Sequence, residues 1–139
     1  MQVFAKRTVA LSFCLASTLA TSLPAFGWGQ TGHRVTGAIA ENHLSPAAKA
    51  AVVKLLPHES LAEASTYPDE MRSNPSEFWR KISPPWHYVT VPEGHEYHEV
   101  GAPEQGDAYS ALQHYTKVIK DPQASREDRQ VALRFIVHI

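Results

Sequence analysis

The first 27 residues restrict this chain more than any other stretch. Lys6 and Arg7 precede an apolar run from Thr8 to Leu23 that Ser and Thr interrupt, and Pro24-Ala25-Phe26-Gly27 closes it with a helix breaker and small residues at the minus-three and minus-one positions. Basic stretch, apolar stretch and small-residue site, in that order, are what a signal peptidase reads. The run falls short of the roughly 20 apolar residues that a spanning helix needs. Residues 1–27 are therefore expected to be a cleaved signal peptide of bacterial style, and the protein to be periplasmic or secreted. Cys14, the one cysteine, leaves with that segment. The remainder has no thiol for a disulfide framework, a nucleophile or a metal site. Its fold must rest on the core that roughly 110 residues can build, one modest domain.

Charge narrows the function. The formal net charge is -1, and loss of Lys6 and Arg7 makes the exported part more acidic, so no basic surface advertises a polyanionic partner. A polyanionic substrate would need local cations. Eight histidines, all beyond residue 27, are a source of such cations through bound metal.

The periodicity is helical throughout. Apolar spacing predicts a helix from Thr31 to His43, and Ser45-Pro46 caps a second from Ala47 to Leu56 that Pro57 ends. Glu59 to Ser65 reads as a short helix. Thr66 to Arg72 opens another, with Asp69 and Arg72 on one face. Ser83-Pro84-Pro85 breaks the chain before Trp86 to Pro92, whose aromatic and β-branched residues predict an extended segment. Glu93 to Gly106 reads as a polar loop. Asp107 caps a helix to Lys120 with a stripe of Ala108, Ala111, Leu112, Tyr115, Val118 and Ile119. Ser125-x-x-Asp128 resembles a capping box opening a last helix through Ile139. That helix ends without the usual stop signals. The fold class is all-α, in one domain or part of one.

Five residues are candidate metal ligands, each with a bland alternative. As a new N-terminus, Trp28 offers an amino nitrogen, partly neutral near pH 7, and its carbonyl oxygen, a chelating pair; otherwise it is a core Trp. His33 adds a ring nitrogen or lies on the surface. Asp69 is a ligand or merely the helix partner of Arg72. His87, between Trp86 and Tyr88, needs a polar partner if buried. His138 shares the apolar side of its helix and is expected to be buried, as a ligand or as a core histidine bonded to a backbone carbonyl. His43, His58, His95, His98 and His114 read as solvated, with His95 and His98 a weak alternative metal pair.

Trp28-Gly-x-x-Gly-His33 with Ala38-x-Ala40, Pro68-Asp69-x-x-Arg72, Trp86-His87-Tyr88-Val89 and Ala132-Leu-Arg-Phe-x-Val-His138, in that order, resemble the zinc-dependent single-strand nuclease family of the S1/P1 type, similar in metal site to bacterial zinc phospholipase C. The resemblance implies an all-helical domain with three zinc ions. Asp69, His87 and His138 match three ligands of one zinc; Trp28 and His33 match ligands of a second. An aspartate bridging the two falls just beyond Ile139, as do the ligands of the third. Residues 28–139 are thus expected to be the N-terminal part of the domain, inactive and weakly structured alone. Arg72 matches an arginine on the scissile phosphate, and Tyr88 an aromatic that stacks a nucleobase. Tyr67-Pro68 stands where fungal and plant members have Trp-Ala, and Thr90 replaces an acidic base-contacting residue.

The activity implied is endonucleolytic hydrolysis of single-stranded DNA and RNA to 5′-nucleotides, with a 3′-nucleotidase activity beside it, by a water activated between zinc ions. A zinc phospholipase C is the alternative that Trp28 and His33 alone leave open. A non-catalytic zinc-binding or helical interaction fragment is the alternative of another class. No membrane association after signal cleavage and no protein partner are inferred.

Overall fold

The computed structural model describes residues 29–139, in which the starts of α-helices at Pro46, Leu61, Ala108 and Arg126 follow from short polar signals. Residues 1–27, expected to be a signal peptide, and Trp28 lie outside the described residues. In chain order the α-helices are α1 (Gln30–His43), α2 (Pro46–Leu55), α3 (Leu61–Ala64), α4 (Tyr67–Glu70), α5 (Tyr97–Val100), α6 (Ala108–Lys120) and α7 (Arg126–His138). No strand occurs among the described residues. Ser45 caps α2, accepting from Ala48 N at 3.2 Å, with Pro46 as its first residue. Ser60 and Glu63 form a reciprocal box on α3. Asp107 accepts from Ser110 N at 2.8 Å on α6, and Ser125 from Asp128 N at 3.0 Å on α7. Each such cap contributes about 1 kcal/mol. At α7 the box is one-sided, because the Asp128 carboxylate takes the Ser125 hydroxyl instead of a backbone N–H.

The all-α class is confirmed, with two local corrections. Trp86 to Pro92 was expected to be extended, but Trp86 and His87 complete a 3-10 turn, Pro84–His87, and extended backbone begins only at Tyr88, with neither helix nor strand from there to Pro92. The two prolines preset a turn, closed by Trp86 N to Ser83 O at 3.0 Å, and no strand among the described residues pairs the β-branched residues. The expected polar loop from Glu93 to Gly106 contains α5, which Glu96 and Glu99 open with a reciprocal box. A π-helical turn, Phe78–Ile82, lies between a 3-10 turn at Met71–Ser73 and the Pro84 turn.

Helix α7 is the central element, since its two faces serve two cores. Leu133 joins Leu56, Leu61 and Ala64, while Ala132 and Phe135 join Trp79 and Tyr115. Phe135 is fully buried, stacked on Tyr115 at 4.5 Å and on Trp79 at 5.6 Å between ring centres. Burial drives the Tyr115 hydroxyl well above its ordinary pKa. Helix α1 reaches this body through a glycine. Gly37 is buried against α3, where a Cβ would run into the Leu61 carbonyl and come within 2.9 Å of the Ala62 Cα. Only a residue without Cβ permits so close a crossing. Gly37 lies one turn after His33, on the same side of α1, so the crossing also carries His33 inward.

Candidate metal centre

Four chemically active side chains converge from four elements: His33 on α1, Asp69 on α4, His87 at the end of the Pro84 turn, and His138 at the end of α7. His33 and His138 stack at 4.0 Å between ring centres, and His87 meets His138 edge-on at 4.9 Å. The Asp69 carboxylate faces them, Oδ2 lying 3.6 Å from His33 Nε2 and Oδ1 3.4 Å from His87 Nε2.

Backbone carbonyls orient all three rings. His33 Nδ1 is 3.1 Å from the His138 carbonyl, His87 Nδ1 is 3.1 Å from that of Pro84, and His138 Nδ1 is 2.7 Å from that of Ser65. A carbonyl only accepts, so each Nδ1 donates, and each neutral ring presents a lone pair at Nε2. This is the outer-shell arrangement that fixes tautomer and ring direction in metal-binding histidines. Burial holds His138 neutral, pulling its pKa down to about 4 against the opposing Ser65 hydrogen bond, with the His33 and His87 rings adding to the depression.

The chemistry of this donor set fits a metal ion. His87 Nε2 is buried with no hydrogen-bond partner, an arrangement that carries a desolvation penalty of about 1–3 kcal/mol if nothing binds it. Asp69 Oδ1, 3.4 Å away, is a carboxylate oxygen and also lacks a proton to offer. Ligand atoms of His33, Asp69 and His138 all lie within 4.8 Å of one another, the spacing that donors about 2.0–2.2 Å from one zinc ion can take up with small adjustment. The two ligand sets expected from the sequence, one with Asp69, His87 and His138 and one with His33, are therefore contiguous rather than separate among the described residues.

The cluster forms one wall of a cleft of ≈ 610 Å³, which Arg72 and Tyr88 also line. Arg72 NH1 is 3.7 Å from Asp69 Oδ1 while most of its side chain, 63%, faces solvent. Tyr88 is 59% exposed, its ring free to meet a planar group. A second cleft, ≈ 430 Å³, lies between α2, α6 and α7. Its arginines are committed to structure, Arg126 donating to the Lys54 carbonyl and Arg129 to that of Ala124.

Sequence reasoning did not single out Gly37, nor the carbonyls of Ser65 and Pro84. A glycine one turn after His33 was the visible signal for the first. The carbonyls had none, because every residue carries one. His43, His58, His95, His98 and His114 are exposed as expected. His95 and His98, the alternative pair, face Glu99 at 3.4 Å and Glu96 at 3.2 Å on the surface.

A sequence model of the family described as S1/P1 Nuclease matches residues 28–139. The chain belongs to the S1/P1 nuclease family. Among its relatives, Nuclease P1 of Penicillium citrinum is 28% identical over 119 residues, covering 80% of this chain and 43% of that protein. Nuclease S1 of Aspergillus oryzae is 28% identical over 134 residues, covering 89% and 45%. The chain thus spans less than half the length of these S1/P1 relatives. No helix among the described residues is long and apolar enough to cross a membrane.

Proposed function

We propose that residues 28–139 furnish one wall of the active site of an exported, zinc-dependent endonuclease that hydrolyses phosphodiester bonds of single-stranded DNA and RNA to 5′-nucleotides and also acts as a 3′-nucleotidase. The observation that carries the reading is His87 Nε2, buried without a partner beside Asp69. Family membership and the names of the relatives point the same way.

In this reading Asp69, His87 and His138 hold one zinc, His33 and Trp28 hold a second, and three ions serve the whole domain. Zinc bound there supplies Lewis-acid polarisation of phosphate and a water acidic enough to attack near neutral pH. The protein's own part is positioning and charge. The three carbonyl-anchored imidazoles keep their lone pairs inward, which spares reorganisation when metal binds. Arg72, at the cleft, offers a planar fork to a phosphate. Tyr88 offers a face to a base, a contact that only an unpaired base can make without unstacking a duplex. Metal and Arg72 together replace the basic surface that the chain lacks. Export follows from residues 1–27, and their removal exposes the Trp28 amino nitrogen.

The test is metal content, measured with hydrolysis of denatured DNA, duplex DNA, RNA and phosphatidylcholine by the zinc-supplied whole domain to which these residues belong. Chelator-sensitive cleavage of the single strands that leaves 5′-phosphates is expected. Hydrolysis of phosphatidylcholine with no cleavage of DNA would replace this reading with a phospholipase C. Zinc uptake with no hydrolysis of any substrate would replace it with a non-catalytic zinc-binding role.

A further inference from the structure

Asp69 and His138 must be held at a fixed separation if they are to share a metal, yet they come from helices far apart in sequence. One side chain bridges those helices next to the site. Arg134 lies on α7 one turn before His138, on the same side of the helix. Its Nε donates to Glu59 Oε1 at 2.7 Å and its NH2 lies 2.6 Å from the same oxygen. The guanidinium also covers the Tyr67 ring, with 4.6 Å between its carbon and the ring centre. Both charged side chains are about four-fifths withdrawn from solvent. Among the described residues this is the one ion pair outside the metal cluster that joins distant parts of the chain.

What the two partners lead to gives the contact its meaning. Tyr67 is the first residue of α4, two positions before Asp69. Glu59 immediately precedes Ser60, the cap of α3, and the short α3 runs into Ser65, whose carbonyl receives the His138 Nδ1 proton. A single guanidinium on the helix of His138 therefore grips the entrance to Asp69 and the entrance to the segment that orients His138. An exposed ion pair would contribute little to stability. This one is largely withdrawn from water and stacked on an aromatic face, the geometry in which arginine is not replaceable by lysine.

We propose that Arg134 is a positioning residue for the metal centre: through Glu59 and Tyr67 it sets Asp69 against His138, and the affinity of the site depends on it. The inference rests on the metal-centre reading given above.

Titration with Co²⁺, whose visible absorption bands report ligand geometry, tests it on the intact protein, with thermal melting followed in parallel. Arg134→Gln is expected to weaken Co²⁺ binding on the order of 10- to 100-fold and to shift the bands, as loss of an outer-shell partner does. Arg134→Lys, which keeps the charge near Glu59 and loses the flat face over Tyr67, is expected to fall between. Val118→Ala is the control for stability alone. It trims an α6 side chain packed on the Trp79–Tyr115–Phe135 core, on an element that carries no residue of the site, and it is expected to lower the melting temperature while leaving Co²⁺ affinity and bands unchanged. Unchanged affinity and bands in Arg134→Gln overturn the proposal. So does an equal loss of affinity in Val118→Ala, because the site would then merely follow global stability. Should Arg134→Gln not fold, Arg134→Lys decides by the same criterion. Failure of the wild-type protein to take up Co²⁺ overturns the metal-centre reading itself, and this proposal with it.

Discussion

Gly37→Ala is the sharpest test of how the fold delivers the site, because two known effects oppose each other there. In an unobstructed helix interior the change from Gly to Ala stabilises by about 1 kcal/mol. Here the new Cβ would strike the Leu61 carbonyl and come within 2.9 Å of the Ala62 Cα. Both are backbone groups that no rotamer change can move aside. Restoring ordinary carbon contacts of about 3.5–4.0 Å requires α1 to back away from α3 by roughly 1 Å. Overpacking of this kind costs about 1–3 kcal/mol, so the net effect is a loss of about 0–2 kcal/mol in stability. The local consequence is larger. His33 rides on the same face of α1 one turn earlier, and metal–ligand distances tolerate only about 0.2 Å of error. Metal affinity is therefore expected to fall at least tenfold, a loss of about 1.4 kcal/mol, even if the melting temperature hardly moves. Urea unfolding and a zinc titration against a competing chelator measure the two quantities. A Gly37→Ala variant that is more stable by the full helix-propensity gain and binds zinc as tightly as wild type would refute the argument.

Other expectations follow from the same geometry. In the whole domain, His87→Ala and Asp69→Ala should each abolish stoichiometric zinc binding and hydrolysis, measured by metal analysis and a single-stranded DNA assay, whereas Arg72→Lys should keep the metal and lose turnover; wild-type zinc content in the His87 variant contradicts the site. In the metal-free protein His138 stays neutral in the fold down to a pKa of about 4, whereas the unfolded chain takes up its proton near 6.5. The unfolded state binds more protons between those values, so stability should fall as pH drops through that window, by on the order of 3 kcal/mol; a flat urea midpoint from pH 7 to 4.5 contradicts it. Phe135→Ala should cost about 3–5 kcal/mol in urea unfolding, because the ring is fully buried between Trp79 and Tyr115; a loss under about 1 kcal/mol would mean that the aromatic core collapses to fill the space.

Local signals were legible in the chain itself. The caps at Ser45, Asp107 and Ser125 and the apolar stripes on α6 and α7 specify helices through interactions within a few residues, and those helices form where the pattern places them. The burial of His138 was readable from its position on the apolar side of α7. Reading Trp86 and His87 as extended failed because Pro84-Pro85 had already set a turn, whereas Tyr88 beyond it is extended as read. The short α5 escaped notice because its box uses glutamates in place of the common Ser or Thr.

The nature of the candidate ligands was likewise set by the chain, since imidazoles and a carboxylate without a thiol admit only certain metal chemistry. Their convergence was decided by tertiary structure alone. Asp69, His33, His87 and His138 meet because Gly37 lets α1 touch α3 and because α7 threads between two cores, events that no local pattern encodes. The same holds for proton placement. Which nitrogen of each ring carries hydrogen is settled by carbonyls of Ser65, Pro84 and His138, two of them far away in sequence from the ring they orient. A hydrogen bond to a backbone carbonyl leaves no mark on side-chain identity, so this part of the site becomes visible only once the chain is folded.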